Sequence, residues 1–216
     1  MVLAWSLIRF IFSESVPYRT CSNWNPQPFL VTKYCPNGNV MDYIREFPEV
    51  NRMSILHQVS VGMMYLHSQS IIHADLKAAN ILIGDDHKAL ICDFGLSQLK
   101  DQGKASQSNS RVIQGTLSYM APEYLEGDPI DYPADVYSFA MTSWQIHTGL
   151  VPFADVPRRT FYRWVIDKQN RPEYPNSMNK SLWNLIQDCW QHEPAKRPTF
   201  PEIEASFKPL TDPCKL

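Results

Sequence analysis

Two short polar stretches of this 216-residue chain contain the side chains best suited to chemistry. The first reads His73-Ala-Asp-Leu-Lys-Ala-Ala-Asn80, and the second, Asp93-Phe-Gly95, begins thirteen residues later. Carboxylate and amide oxygens are the ligands that Mg²⁺ prefers, and Asp75, Asn80 and Asp93 supply them. Phosphoryl transfer needs such ligands at fixed places around the metal, with the acceptor hydroxyl aligned in line. The two stretches therefore favour a phosphoryl-transfer site.

The second stretch has a plainer interpretation when it is taken alone. A lone Asp-Phe-Gly is commonplace, and it fits a strand end followed by a polar turn. The presence of both stretches, in this order and at this spacing, removes that interpretation.

The two stretches resemble motifs of the protein kinase family. The family's catalytic loop, H-R-D-x-x-x-x-N, matches residues 73–80 except that Ala74 replaces the arginine. The resemblance extends over residues 28–207 and is to the Ser/Thr or tyrosine-kinase-like type. Four more regions carry it in the family's order: a hinge at 28–38, the end of an activation segment at 115–123, the start of a large central helix at 135–140, and a closing signature in Cys189-Trp190 and Arg197-Pro198.

The resemblance implies catalytic roles for four residues. Asp75 would accept or orient the proton of the substrate hydroxyl, and Lys77 would contact the transferring phosphate. Asn80 and Asp93 would bind Mg²⁺, through which Asp93 would also reach the phosphates of ATP.

The resemblance also implies a binding site for the adenine of ATP. Thr32 would be the gatekeeper at the back of the pocket, and the backbone of the hinge would contact the adenine. An ordinary strand end is the alternative interpretation of the hinge residues. The remaining residues assigned to the cofactor are Lys33, Tyr34 and Cys35 in the hinge, with Leu82 and Cys92 lining the pocket.

Other residues of the matching motifs are expected to be architectural. Glu123 and Arg197 would form a buried ion pair, and Asp135 would brace the catalytic loop through backbone N–H groups. His73 is better interpreted as a packing and hydrogen-bonding residue than as an acid or base. The core aromatics are expected to include Trp144, Trp183 and Trp190.

The elements around these motifs can be predicted from periodicity and turn residues. The fold class is α+β, mainly α: a kinase-like C-terminal lobe with small β-hairpins and a remnant of the N-terminal lobe. We divide the chain into three parts. Residues 1–27 are unassigned, residues 28–38 are the last small-lobe strand and the hinge, and residues 39–216 form the C-terminal lobe. The predicted elements are a strand at 29–32, a helix capped by Asn39, a core helix at 51–67, a hairpin of 81–83 with 89–92, a polar mobile loop at 100–110, and short helices after 121.

The amino-acid composition of the chain limits the kinds of binding partner that we expect. The net charge of −2 gives no reason to expect nucleic acid or an anionic membrane. Residues 1–12 are mostly apolar but too few to span a bilayer, and they lack the features of a signal peptide. Five cysteines without C-x-x-C spacing indicate neither a disulfide framework nor a zinc site. We expect a reducing, intracellular, cytoplasmic protein whose partners are ATP and a protein substrate.

Three elements of a complete protein kinase are not found in the sequence: a Gly-rich loop, a strand lysine of the V-A-I-K type, and a helix glutamate that pairs with it. The first glycine is Gly38 and the first lysine is Lys33, both already in the hinge. We therefore expect a truncated chain with weak Mg·ATP binding and negligible turnover.

Two other classes of function compete with this one. A pseudokinase acting as a protein-binding module is favoured by the missing elements, whereas the intact catalytic set argues against it. A small-molecule phosphotransferase would lack the Ala121-Pro-Glu123 segment and the paired Arg197.

Two details of the motifs bear on the substrate and on activation. Lys77 and Thr116 resemble the Ser/Thr-specific pattern. Ala74 removes the arginine that often receives an activation-loop phosphate.

Overall fold

A computed structural model of the chain describes residues 34–93, 97–99 and 117–211. The predicted strand at 29–32 and the loop at 100–110 lie outside these ranges. So do Thr32 and Lys33 of the predicted adenine site, Thr116, and the Phe-Gly of the second catalytic stretch. The described part is a mainly helical α+β fold, as the sequence predicts.

Several of the described helices begin at a residue whose side chain caps them. Asn39 accepts hydrogen bonds from the N–H groups of Met41 and Asp42, and Asn51 accepts one from Ser54. Both side chains thereby satisfy donors that have no partner within the helix. The helices are α1 (Val40–Glu46), α2 (Arg52–Ser68), α3 (Pro122–Glu126), α4 (Tyr132–Thr148), α5 (Arg158–Tyr162), α6 (Lys180–Cys189) and α7 (Phe200–Thr211).

Four short strands in the described ranges form two antiparallel pairs. They are β1 (Ile71–Ile72), β2 (Ile81–Ile83), β3 (Ala89–Ile91) and β4 (Gln98–Leu99). The predicted hairpin is confirmed, because β2 pairs with β3 in the register Leu82 to Leu90. The second pair joins β1 to β4, and it ties the chain before the catalytic loop to the chain after Asp93.

The core lies between helices α2, α4, α6 and α7. The apolar side chains predicted for the core helix are all buried in α2, namely Leu56, Val59, Met63 and Leu66. Helix α4 is buried along nearly its whole length, which is typical of a helix surrounded by other elements. Of the three predicted core tryptophans, Trp144 and Trp190 are buried, whereas Trp183 is half-buried against the core.

The hinge is attached to β2. The Gly38 N–H donates to the Cys35 carbonyl at 3.2 Å, which closes a turn around Pro36, and Gly38 has a φ of 65° that glycine adopts at little cost. The Gly38 carbonyl accepts from the Ile83 N–H at 2.9 Å. The described end of the predicted hinge is therefore held to the hairpin by a backbone hydrogen bond.

None of the helices in the described ranges combines the length and apolar character needed to cross a membrane.

Candidate active site

A buried carboxylate at the start of α4 holds the catalytic loop. Asp135 accepts hydrogen bonds from the backbone N–H groups of His73 at 2.8 Å and Ala74 at 2.9 Å. The same carboxylate lies 2.9 Å from Nε2 of His67. Its place in the first turn of a helix also favours a negative charge. The bracing role expected of Asp135 is therefore present in the structure.

The backbone at Ala74 adopts an unusual conformation for this purpose. Its φ is 69°, in the left-handed region where a β-carbon costs about 1 to 2 kcal/mol. Two successive N–H groups point at the same carboxylate there, and these bonds compensate for the strain. The side chain at this position is thus less constrained than the backbone.

His73 lies beneath the loop and is completely buried. Its Nδ1 accepts the Asp75 N–H at 3.3 Å, so Nε2 carries the proton and donates to the Cys92 carbonyl at 3.1 Å. Burial lowers the pKa of His73, and the neighbouring carboxylates, first of all Asp135, only partly oppose this effect. The ring is therefore a neutral structural element, as the sequence predicts.

Asp75 is the centre of the site, and one of its two oxygens is engaged. Oδ2 accepts from Nζ of Lys77 at 2.6 Å and from Nδ2 of Asn80 at 3.2 Å. The Asn80 amide also donates to the backbone carbonyl of Asp75 at 2.8 Å. The other oxygen, Oδ1, is buried and has no hydrogen-bond partner among the described residues. An acceptor in this state costs free energy unless a ligand supplies a donor.

The second catalytic stretch is joined to the first through Cys92. The Cys92 N–H donates to the Asn80 carbonyl at 2.9 Å, and its own carbonyl accepts from His73. Asp93 follows directly, with an exposed side chain and a φ of 61°. The structure thus brings Asp75, Lys77, Asn80 and Asp93 into one neighbourhood.

Cys35 and Cys92 are near enough to influence each other electrostatically. Burial raises the pKa of Cys92 to about 11, with smaller contributions from Asp93 and Cys35, and Lys77 opposes the shift. Both thiols are half-buried. Leu82 is also half-buried, on the face of β2 opposite the fully buried isoleucines. The side chain of Tyr34 is 82% exposed, so any contact with adenine would come from its backbone.

A second buried polar cluster surrounds Arg197. Its guanidinium forms a bidentate pair with Glu123 at 2.6 and 2.7 Å. The remaining donors reach the carbonyls of Pro133, His192 and Gln191, so all five N–H groups have acceptors. The ion pair that the resemblance implies is present, and it is more completely satisfied than the sequence could indicate.

Sequence reasoning missed an aromatic ring packed beside this ion pair. Tyr137 lies with its ring 5.2 Å from the Arg197 guanidinium and 5.1 Å from that of Arg171. Such contacts are favourable where water is excluded. A tyrosine two residues after Asp135 gave no signal, because its partners are 34 and 60 residues away in the sequence.

The turn Leu117–Tyr119, near the end of the predicted activation segment, is held against helix α4. The Tyr119 hydroxyl donates to Oε1 of Gln145 at 2.6 Å, and its carbonyl accepts from Ser138 at 2.8 Å. Burial raises the pKa of Tyr119, and the charge of Asp75 adds to this effect. The described end of the segment is therefore near enough to Asp75 for the charge of that carboxylate to act on Tyr119.

Comparison with known proteins gives the same assignment as the fold and the site. A model of the family described as protein tyrosine and serine/threonine kinase matches residues 16–207. The chain belongs to the protein kinase family. Family membership implies the use of ATP, a divalent metal and a protein substrate in general terms.

Several curated kinases are similar to this chain over most of its length. The serine/threonine/tyrosine-protein kinase HT1 of Arabidopsis thaliana is 36% identical over 206 residues, covering 92% of this chain and 51% of that protein. The serine/threonine-protein kinase STY46 of the same plant is 32% identical over 92% of this chain and 33% of its own length. The dual specificity protein kinase shkA of Dictyostelium discoideum is 36% identical over 88% of this chain and 37% of its own length. The chain spans between a third and about half of the length of these relatives.

Proposed function

We propose that this chain carries the catalytic lobe of a protein kinase that transfers the γ-phosphate of ATP to serine or threonine of protein substrates. The observation that carries the proposal is the buried Asp75 carboxylate, of which one oxygen is held by Lys77 and Asn80 and the other has no described partner. A substrate hydroxyl is the donor that the open oxygen lacks. Asp75 would orient this hydroxyl and accept its proton as the bond to phosphorus forms.

Lys77 is proposed to serve two purposes at once. Its ammonium group lies 2.6 Å from Oδ2 of Asp75, which fixes the orientation of the carboxylate. It remains about one-fifth exposed, so the same cation can contact the phosphate that is being transferred. The position of this charge supports electrostatic stabilisation of the transferring group.

The residues present fit Mg²⁺. Asn80 uses its NH₂ group toward Asp75, which leaves its carbonyl oxygen as the ligand atom, and Asp93 offers an exposed carboxylate. Mg²⁺ is commonly held by one or two protein side chains together with substrate phosphates. Among residues 34–93, 97–99 and 117–211, no group of three or more His, Cys, Asp or Glu side chains could form a self-contained metal site. Bound Mg²⁺ would neutralise charge on the phosphates.

The acceptor type is proposed from two positions of the catalytic motifs. Lys77 and Thr116 resemble the Ser/Thr pattern, although Thr116 lies outside the described residues. The names of the relatives include Ser/Thr, Ser/Thr/Tyr and dual-specificity kinases, so the family alone does not decide the acceptor. Phosphoamino-acid analysis of a phosphorylated substrate should give mainly phosphoserine and phosphothreonine. Mainly phosphotyrosine would overturn this assignment.

We further propose that residues 28–38 are the last small-lobe strand and hinge, and that 39–216 form the C-terminal lobe. The adenine would meet the hinge backbone at residues 33–35 and the side chains of Leu82 and Cys92, with Thr32 behind it. Because the 216 residues contain no Gly-rich loop or strand lysine, this chain alone should bind Mg·ATP weakly. Its free cysteines, Cys35, Cys92 and Cys189 in the described ranges, suit a reducing intracellular compartment.

One experiment tests the proposed activity. A complete small lobe fused ahead of Pro28 should give a chain that phosphorylates a protein substrate, and Asp75→Ala or Asp93→Ala in that fusion should abolish transfer. Ala79→Ser, a small change at an exposed position of the same loop, is the matched control and should retain most activity. An inactive fusion that binds Mg·ATP normally would favour the alternative, a pseudokinase that serves as a binding module.

A further inference from the structure

Helix α5 carries an exposed basic surface that the proposed phosphotransfer does not use. Arg158, Arg159, Tyr162 and Arg163 are all exposed, and we call them the basic face. Arg158 with Tyr162, and Arg159 with Arg163, are spaced four residues apart, so each pair is close together on the helix surface. Three arginines are thereby concentrated on little more than one helical turn.

The charges of the basic face are not neutralised within the described part of the chain. None of the three arginines forms an ion pair or side-chain hydrogen bond with a described residue, whereas Arg197 uses all five of its donors. Between residues 156 and 168 the sequence has four basic side chains and one acidic one, Asp167. This concentration contrasts with the net charge of −2 of the whole chain.

Aromatic side chains accompany the charges. Tyr162 is 45% exposed and Trp164 is 38% exposed, and the Lys168 ammonium lies 5.4 Å from the centre of the Trp164 ring. Arginine, tyrosine and tryptophan are enriched in protein interfaces, and they contribute most of the binding energy there.

The inner side of this helix connects it to the active site. Phe161 and Val165 are buried against Leu117, next to the turn that contains Tyr119. After α5 the backbone widens into a π-helical turn, in which the Lys168 N–H donates to the Arg163 carbonyl at 3.1 Å. Such turns occur frequently at functional sites. The basic face therefore lies on the outer side of a small apolar core that also contains Leu117 of the Leu117–Tyr119 turn.

We propose that the basic face docks an acidic segment of the protein substrate that also carries an aromatic or large apolar residue. The arginines supply charge complementarity, and Tyr162 supplies apolar contact area. A segment bound here would be held beside the turn that leads to Asp75. Nucleic acid is a poorer match, because three arginines on one short helix do not make the extended basic surface that a phosphate backbone needs. The proposal rests on the proposed kinase function, whose substrates are proteins.

Binding can be tested with the 216-residue chain itself, without phosphoryl transfer. The probe is a fluorescein-labelled peptide of alternating glutamate and glycine residues with one central phenylalanine, and fluorescence anisotropy measures its dissociation constant. Arg159→Glu/Arg163→Glu should weaken binding about tenfold or more. The charge-preserving Arg159→Lys/Arg163→Lys variant should retain most of the affinity. Lys180→Glu/Lys208→Glu, which changes the net charge equally at exposed sites on α6 and α7, should retain it as well.

Raising the salt concentration from about 0.05 M to about 0.5 M should also weaken binding, since exposed charges are screened. Circular dichroism and thermal unfolding verify that each variant is folded. Absence of peptide binding, or equal weakening by the Lys180/Lys208 control, would overturn the proposal. Tighter binding of single-stranded RNA or of anionic vesicles, lost in Arg159→Glu/Arg163→Glu, would also overturn it by assigning the face to another partner. A chain that binds the peptide but proves catalytically inactive in the fusion would refute the proposed kinase function and not the docking surface.

Discussion

Two buried polar clusters of this lobe, one around Asp75 and one around Arg197, differ in how completely their hydrogen bonds are formed. Arg197 has an acceptor for each of its five N–H groups: three backbone carbonyls and the two carboxylate oxygens of Glu123. Asp75 has donors for one oxygen only, and its other oxygen is buried without a described partner. The two clusters are similarly shielded from solvent, so burial alone does not distinguish a structural cluster from a reactive one.

The difference indicates that the Arg197 cluster and the Asp75 cluster have different roles, one structural and one chemical. A fully satisfied network stabilises and fixes a fold, whereas an unfilled acceptor in a rigid setting is a place for a ligand. The loop around Asp75 is rigid because Asp135 and His73 hold its backbone from below. We therefore expect changes around Arg197 to act on stability, and changes at Asp75 to act on chemistry.

The largest expected effect on stability comes from the Arg197 cluster. Arg197→Ala leaves the Glu123 carboxylate largely buried without its partner, and such a loss costs roughly 3 to 5 kcal/mol. Urea unfolding measures this change. The matched control is Lys196→Ala, which removes the adjacent but exposed pair with Glu193 and should have little effect. Equal stability of the two variants would show that the satisfied network does not hold the lobe together.

A smaller loss is expected at the brace beneath the catalytic loop. Asp135→Asn replaces one of two acceptors for the His73 and Ala74 N–H groups by an NH₂ group, which should cost about 1.5 to 3 kcal/mol. Chemical denaturation is again the measurement. Asp131→Asn, which retains a good cap for the same helix, is the control and should be nearly neutral. If the Asp135 variant were as stable as this control, the hydrogen bonds from His73 and Ala74 to Asp135 would not stabilise the fold.

How far the sequence predicted these clusters depends on the sequence separation of the contacts. The core helix, the Asn39 cap of the helix before it and the hairpin followed from local periodicity and turn residues. The Glu123 to Arg197 pair and the Asp135 brace followed from resemblance to a family and not from spacing. The pairing of β1 with β4 was missed, because strands of two residues show no alternation. The open oxygen of Asp75 was also unpredictable, since it depends on three-dimensional contacts of all its neighbours.

The pH dependence of stability offers a third comparison within the catalytic loop. Burial lowers the pKa of His73 below its ordinary value of 6.5, so below that pH the unfolded chain binds a proton that the folded chain excludes. Stability should therefore fall as the pH is lowered through 6.5, by at most about 1.4 kcal/mol per pH unit from this residue. Unfolding free energies at several pH values should show a shallower slope in His73→Gln than in the parent. An unchanged slope would assign the acid sensitivity elsewhere, for instance to His147, whose pKa burial also lowers.

The smallest expected effect, and a gain, concerns the left-handed backbone of the loop. Glycine adopts a φ of 69° without strain, so Ala74→Gly should stabilise the chain by at most about 1 kcal/mol. Ala205→Gly, at an exposed position in the interior of α7, should lower stability by a similar amount. Thermal unfolding midpoints measure both changes. A loss of stability in both variants would mean that the Ala74 β-carbon makes contacts that outweigh its strain.

The most direct measurement compares chemistry with stability at Asp75. Phosphate transfer is measured in the fusion with a complete small lobe, and the free energy of unfolding in the 216-residue chain, for the parent and for Asp75→Asn. We predict that transfer falls by at least about 100-fold. Stability should fall by less than in Arg197→Ala, because the amide oxygen of the variant can still accept from Lys77 and Asn80 in place of Oδ2. Parent-level transfer by the Asn variant, or a loss of stability as large as that of Arg197→Ala, would contradict the account.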